Sequence, residues 1–580
     1  MSNLITVDNC YVTLLSLAEG FRACSPPDIR SSVQCLQAVL NLPLDQYTFA
    51  KTHLQLGDLL MRFTSNTDVA CKHLEDAWQL AHNVPGADDI RLEAIAMLAA
   101  TYERANNLKR TKELLTKGLE SSSNRVWWHC KFLFHLAQIE AFEHNYAAAA
   151  DILSAGAEFA QMSGASYSRI LFLLSKGMIL MINQRLNEAL PVLSLAQQYV
   201  EAWQGNAAQK ESLTLFYLIL QVCFNLNGGK AKSAKQSLKY LQQMMQNSNY
   251  ESAAIEVYPP PNGDGGFHWM SKEHICILVF LVNVLHSMQA GYMDRAQKYT
   301  EKALMQIDKL KNQEDHPLLN TFQLIILEHI SMCRLVMGNR SMAMKEIVQA
   351  VHAVERDYRL RPRHVPVLRS LLGLYCMSMN NDAMAEFHLT AVLRSPTAAS
   401  ELKILASLNL SIVYLRLHRY AELSDLLSKL NPDTIQSGSQ AVKAACSYVF
   451  GLNAFFHNRI NDAKRFLRNT LQLANTEELN RLTSCSLVLL GHIFFSLGNS
   501  KESMNMVTPA MELATKIPDV HVQVWATALL KELYRLFQNH VQAQSMEQLH
   551  AKFSHQVVND CQQAYYTQEH SFYINWNEEA

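Results

Sequence analysis

Turn-making residues are scarce in this chain. Its 20 glycines and 15 prolines make up about 6% of 580 residues, roughly half the ~12% of average usage. Charge is thin as well: 18% of residues are Asp, Glu, Lys or Arg, against a typical ~25%. These charges cancel to a net −1, which gives no electrostatic footprint for unaided binding to nucleic acid or membrane. Disorder needs low hydrophobicity and high net charge, and with 49% apolar residues the chain has neither. Long hydrophobic runs are missing too. The most apolar window, Cys276 to Leu285, spans about ten residues, a buried-helix length rather than the ~20 that cross a bilayer. The opening MSNLITVDNC has no basic stretch followed by an apolar one, so no secretory signal is expected.

The motifs of catalysis and metal binding are absent from the sequence. There is no HExxH, GxSxG, GxGxxG or Walker A string. Gly228-Gly229-Lys230 resembles the end of a phosphate loop but lacks the earlier glycine and the following Ser or Thr, so it reads as a turn between helices. Asp264 lacks the spacing of a calcium loop, and His129 and His135, six apart, do not share a helix face. The expectation is no catalytic residue, no cofactor and no metal. The 12 cysteines stand singly, without a CxxC, mostly inside apolar helical stretches. That pattern fits small buried hydrophobes in a reducing intracellular compartment.

What is present is a repeat. LGDLLMRF from Leu56, LAATYERA from Leu98, LGLYCMSM from Leu372, FGLNAFFH from Phe450 and LGHIFFSL from Leu490 place a small residue among apolar ones. Twelve positions after the small residue comes a second small or polar one, and four further an apolar one. Examples are Gly177, Ala189 and Leu193; Gly373, Ala385 and Leu389; Gly451, Ala463 and Leu467; Gly491, Ser503 and Val507. This is the tetratricopeptide (TPR) pattern of two antiparallel helices, in which small residues let the backbones approach. Periodicity is 3.6 throughout, with no sustained period of two. The short turns NQRLN at Asn183, GNRS at Gly338, MNND at Met379, HNRIND at His457 and GNSK at Gly498 separate the helices. The expected fold is therefore all-α, a superhelical array of about 13 divergent TPR-like hairpins. Residues 1–250 and 272–553 would form two half-arrays, with 251–271 a Pro/Gly-rich insertion or hinge around YPPPNGDGG at Tyr258 and 554–580 a tail.

The inner wall of such an array is lined by positions three before, one after and four after the small residue of each first helix. Here those positions give Met61, Phe134, Gln138, Leu174, Met178, Met181, Met288, Met332, Met377, Tyr448, Phe455, His492 and Phe495. Short-peptide binders use Asn, Lys and Arg at such places; this wall is apolar and Met-rich. Methionine adapts to varied surfaces, and an apolar strip this long would be an aggregation hazard if left open. A long partner segment filling the groove is one reading, and a tightly wound, self-packed wall is the other. Two charge clusters stand out in the sequence. Arg356, Arg359, Arg361, Arg363, His364 and Arg369 could meet a phosphate or acidic peptide, or form a solvated connection. Lys230, Lys232, Lys235 and Lys239 read as the wet face of one helix.

Several strings go beyond repeat consensus: LLSLAEGFRACSPPDIRSSVQCLQAVL, HLQLGDLLMRFTSNTDVACKHLEDAWQLA, RVWWHCKFLFHLAQIEAFEHNYAAAADILSAGAEFA and YPPPNGDGGFHWMSKEHICILVFLVNVLHSMQAGYMDRAQKYTEKAL. In these the chain resembles the TPR-type chromatid cohesion factors, the smaller subunits of the cohesin-loading complex. The resemblance runs over nearly the whole chain. It implies a nuclear, chromatin-associated, non-enzymatic adaptor paired one to one with a large HEAT-repeat loader subunit of the Nipped-B type. An extended N-terminal segment of that partner would thread through the superhelix. The pair would promote cohesin loading and sister-chromatid cohesion, with DNA and cohesin reached through the partner. A TPR scaffold of another large assembly, such as a ubiquitin ligase or transport complex, is the alternative.

Overall fold

The computed structural model describes residues 7–247, 267, 269–313, 317–430 and 439–577. The Tyr258–Gly266 insertion and Asp264 lie outside the described residues. Two units emerge, one holding the described residues up to 217 together with Phe267, the other residues 218–247 and 269–577. Among the described residues the regular structure is helical throughout, with no strand.

The first unit pairs α1 (Val7–Ala23) with α2 (Ile29–Val39), α3 (Gln46–Phe63) with α4 (Thr67–His82) and α5 (Asp88–Arg104) with α6 (Leu108–Ser121). It continues with α7 (Val126–Phe142) and α8 (Tyr146–Met162), then α9 (Ser166–Ile182) and α10 (Leu186–Glu201), and takes the first half of α11 (Ala207–Asn227). The second unit takes the rest of α11 with α12 (Ala231–Asn247), then α13 (Lys272–Ala290) with α14 (Met293–Lys311) and α15 (Pro317–Met337) with α16 (Arg340–Arg356). After a single 3₁₀ turn at Tyr358–Leu360 come α17 (Arg361–Ser378) with α18 (Asp382–Arg394), and α19 (Ser400–Arg416) with α20 (Tyr420–Ser428). The last hairpins are α21 (Gln440–Phe456) with α22 (Ile460–Thr476), α23 (Asn480–Ser496) with α24 (Ser500–Lys516) and α25 (Val520–Leu536) with α26 (His540–Tyr565). A short α27 (Gln568–Tyr573) follows. Each small residue read from the sequence falls on the first helix of its pair.

The packing follows the predicted spacing. A Cβ on Gly373 would stand 2.8 Å from Leu389 Cδ2, and one on Gly491 would strike Val507 Cγ2. The position sixteen residues on therefore fills the room that the small residue leaves. From α5 onward the described turns within hairpins share one construction. Asn106, His144, Gln184, Asn380, His418, Asn458 and Gln538 all take φ near +60°, and the next amide bonds back five residues, as from Asn107 to Tyr102 O at 2.8 Å and from Asn381 to Cys376 O at 2.9 Å. This is the Schellman closure of a helix end. Asn107, Asn381, Asn499 and Asn539 then cap the second helix through their side chains. Two residues thus stop one helix and start the next, so the array needs few glycines or prolines.

The apolar window at Cys276 belongs to a longer helix than its ten residues suggested. α13 has 19 residues and is long and apolar enough to cross a membrane by length and composition, yet 61% of its most apolar 18-residue window is buried. Ile275, Ile277, Val279, Leu281, Val282 and Val284 pack inward, and buried Asn283 and His286 bond to Val279 O and Ala231 O. It is a core helix of the second unit.

The second unit also touches itself at a fixed interval. Gly228 O, at the α11–α12 turn, accepts from the Gln440 amide at the start of α21 at 3.2 Å. The α13–α14 turn meets the start of α23, where Asn480 Nδ2 donates to Ala290 O at 2.7 Å. The α15–α16 turn meets the start of α25, where a Cβ on Gly338 would stand 2.7 Å from Val520 Cγ1. Each contact joins one hairpin to the fifth hairpin after it. Lys235 takes part, pairing with Glu478 at 2.9 Å, so it is not simply wet face as expected.

Residues 554–577 return to the middle of the unit. Asp560 accepts from the Arg340 amide at 2.8 Å and from Arg340 Nη1 at 3.0 Å. Tyr375 Oη and His570 Nδ1 are 2.9 Å apart, and His388 Nε2 is 2.8 Å from Ile574 O. Arg369 donates to Trp576 O and to Asn577 Oδ1. Two members of the basic cluster are therefore structural: Arg369 holds Trp576 and Asn577, and His364 is buried against Glu328 at 2.8 Å. Arg356, Arg359, Arg361 and Arg363 are exposed.

Candidate functional site

The first helices of the hairpins carry the residues assigned to the inner wall, and burial divides these residues into three groups. Gln138, Met178 and Met332 are exposed; the two methionines show 37% and 40% of their surface. Met61, Phe134, Met288, Met377, Tyr448, Phe455, His492 and Phe495 are half-buried. Leu174 and Met181 are buried, at 0% and 4% exposure, and so correct the sequence reading of a free groove lining. Their helix, α9, is apolar on nearly every face and is flanked by α7, α8 and α10. Its exposed apolar side chains are Met178 and Ile182.

In the second unit much of this wall packs on itself. Phe455 on α21, His492 on α23 and Trp525 on α25 form a ladder, with edge-on rings 5.4 and 5.8 Å apart. Trp525 Nε1 donates to His492 Nδ1 at 3.1 Å. Burial pushes the His492 imidazole below its ordinary pKa, which keeps the accepting lone pair available. Tyr448 joins the cluster around Leu467 and Leu490, and Phe495 that around Val507 and Leu530. Met377 packs among α17, α19 and their neighbours. Met288 packs in a cluster that includes Ile517, a residue from the fifth hairpin on. Met332 on α15 remains open to solvent.

In the first unit the wall has an occupant from the same chain. The Phe267 ring stacks on Trp127 with centroids 5.5 Å apart and planes 12° apart, and lies 5.5 Å from Phe134. Its carbonyl accepts from Tyr167 Oη at 3.0 Å. Phe134 itself stacks on Phe172. Thr101 Oγ1 donates to Met61 Sδ at 2.9 Å, joining α5 to α3. Sequence reasoning missed the Phe267 contact because it joins residues a hundred or more positions apart without any repeat relation.

The histidines singled out earlier have separate partners: His129 contacts Ser122 Oγ at 3.0 Å and His135 contacts Glu103 at 2.7 Å. Gly228-Gly229-Lys230 is the α11–α12 turn, as read. The wall offers aromatic rings, thioethers and aliphatic side chains across helices spaced at hairpin intervals.

Known proteins share the sequence and the fold. A family model described as cohesin loading factor matches residues 10–541. A curated relative from Aedes aegypti, a MAU2 chromatid cohesion factor homolog, is 46% identical over 574 residues, covering 98% of this chain and 92% of the relative. The MAU2 chromatid cohesion factor homolog of Drosophila melanogaster is 45% identical over 582 residues, covering 99% of this chain and 91% of its own. Among solved structures, Scc4 in complex with Scc2n is similar with a TM-score of 0.55 and 12% identity, covering 95% of this chain and all (100%) of that one. Scc4 in complex with Scc2n and Ctf19n gives a TM-score of 0.57 at 12% identity, with 96% and 100% covered. At that identity the two structures speak to the fold.

Proposed function

The chain belongs to the cohesin loading factor family, and we propose from this that it is the adaptor subunit of a cohesin loader. In this reading it holds an extended N-terminal segment of a large HEAT-repeat partner, of the Nipped-B type, in a one-to-one complex. The pair promotes loading of cohesin on chromatin and so supports sister-chromatid cohesion. The protein works without catalysis, in the nucleus, and reaches DNA and the cohesin ring through its partner.

The observation that carries the reading is identity of 46% across 98% of the chain to a chromatid cohesion factor homolog. The Met-rich first helices supply its physical side. Met178 and Met332 hold exposed apolar surface on the face where a threaded segment would lie, and flexible thioethers adapt to an extended chain at little cost. The segment orders as it binds, so its affinity comes from a long contact surface. The test is co-expression of the full chain with the N-terminal segment of the large subunit, followed by size exclusion and calorimetry. A stable one-to-one complex supports the reading; two species that elute apart and release no binding heat overturn it.

A further inference from the structure

Three side chains in the second hairpin converge in a way that the adaptor role does not use. His53 on α3 and His73 on α4 face each other through their Nδ1 atoms at 3.0 Å. Asp76, three residues after His73 on α4, sets Oδ2 3.8 Å from His53 Nδ1. The three ligand atoms all lie within 4.8 Å of one another. None of the three side chains caps a helix or fills the core, and all are partly accessible.

We propose that His53, His73 and Asp76 form a binding site for a zinc-class divalent ion that clamps α3 to α4. The donor set suits such an ion: two imidazoles and one carboxylate, with a fourth position open to water. The spacing also suits it. A tetrahedral ion with bonds of ~2.0–2.1 Å holds its ligand atoms about 3.3 Å apart, so the observed separations need only small side-chain rotations. The facing nitrogens are the informative feature. Without an ion, one ring must adopt the Nδ1–H tautomer to donate to the other; with an ion, both rings present the same lone pair inward. Metal binding needs the neutral imidazole, and burial of His53 and His73 between the two helices works against the charged form of each ring. The Asp76 carboxylate attracts both rings, and Lys72 adds a smaller repulsion at His73 alone.

The ion would tie together the two helices of one hairpin near the amino end of the first unit. Such a clamp acts on stability and leaves the wall on the first helices untouched, so it stands or falls separately from the partner reading.

The experiment uses the full chain, stripped with a chelator and titrated with Co²⁺ as a spectroscopic probe. One equivalent should produce the visible d–d bands of four-coordinate cobalt, and Zn²⁺ should displace it. Zn²⁺ should also raise the melting temperature of the stripped protein. His73→Gln should abolish the bands, and Asp76→Asn, at a half-exposed position outside the core, should weaken binding tenfold or more while circular dichroism stays unchanged. Absence of cobalt bands in the wild type, or bands that persist in a His53→Gln, His73→Gln double variant, overturns the site.

Discussion

Arg369 on α17 donates from Nη1 to the carbonyl oxygen of Trp576 at 2.8 Å, and its guanidinium lies 5.0 Å from the centre of the Trp576 ring. Both residues are buried. One side chain thus fixes the segment around Trp576 by charge-assisted hydrogen bonding and by cation–π contact.

Arg369→Met should release the segment from α27 onward. It leaves Trp576 O without its donor, and a buried polar group stripped of its partner costs ~1–3 kcal/mol, more for a charged pairing. Limited proteolysis should then cut near residue 566 at least tenfold faster, with a lower melting temperature. An unchanged cleavage rate would mean that the segment is held by other contacts.

Gly338 and Gly498 separate two costs. Both have positive φ, at 80° and 77°, but a Cβ on Gly338 would strike Val520 while one on Gly498 meets open space. Gly498→Ala should cost about 1 kcal/mol from backbone strain alone. Gly338→Ala should cost about 2–4 kcal/mol, because overpacking adds to that strain. Urea midpoints of the two variants give the comparison; equal values would show that the Val520 contact yields freely.

Acid should weaken the second unit through His388. Burial pushes this imidazole down to about 4 from its ordinary 6.5, its Nε2 donates to Ile574 O, and its Nδ1 faces Arg369. A depressed folded pKa means that the unfolded chain binds the extra proton, so stability is full above pH 6.5 and falls as pH drops towards 4. The drop integrates to about 3 kcal/mol. Denaturation between pH 4 and 7 should show it, and His388→Gln should flatten that part of the profile.

Substitutions along the inner wall should fall into two classes. Met178→Glu and Met332→Glu alter exposed side chains and should lower partner affinity tenfold or more at unchanged helicity. Met181→Glu would bury a carboxylate and should destabilise the first unit by several kcal/mol. Calorimetry with the partner segment and thermal melts distinguish them. Full affinity in both exposed variants would remove Met178 and Met332 from the contact surface.

The hairpins were legible because each is a local event. A small residue, a second one twelve positions on and a large one after sixteen give the two-helix packing, as Gly373 with Leu389 shows. The left-handed turn residue ahead of an asparagine cap adds its own signature, as at Asn380 and Asn381. Relations between distant hairpins left no such trace. Contact of Gly338 with Val520 depends on small rotations summed over five repeats, which no single segment encodes. The wall positions were partly legible for the same reason: the register of each first helix is local, but whether Met181 or Met178 faces solvent depends on how α9 sits among its neighbours. The His53–His73 pair was invisible because twenty residues separate ligands that only the hairpin brings together.

Fivefold-spaced contacts give the second unit a mechanical character. An open solenoid held only by neighbour contacts stretches like a spring, yielding one repeat at a time. Here the turns at Gly228, Gly291 and Gly338 are fastened to the starts of α21, α23 and α25, so successive coils are laced to one another. Pulled from its ends, this unit should resist as a stiff body and then give way in one large extension.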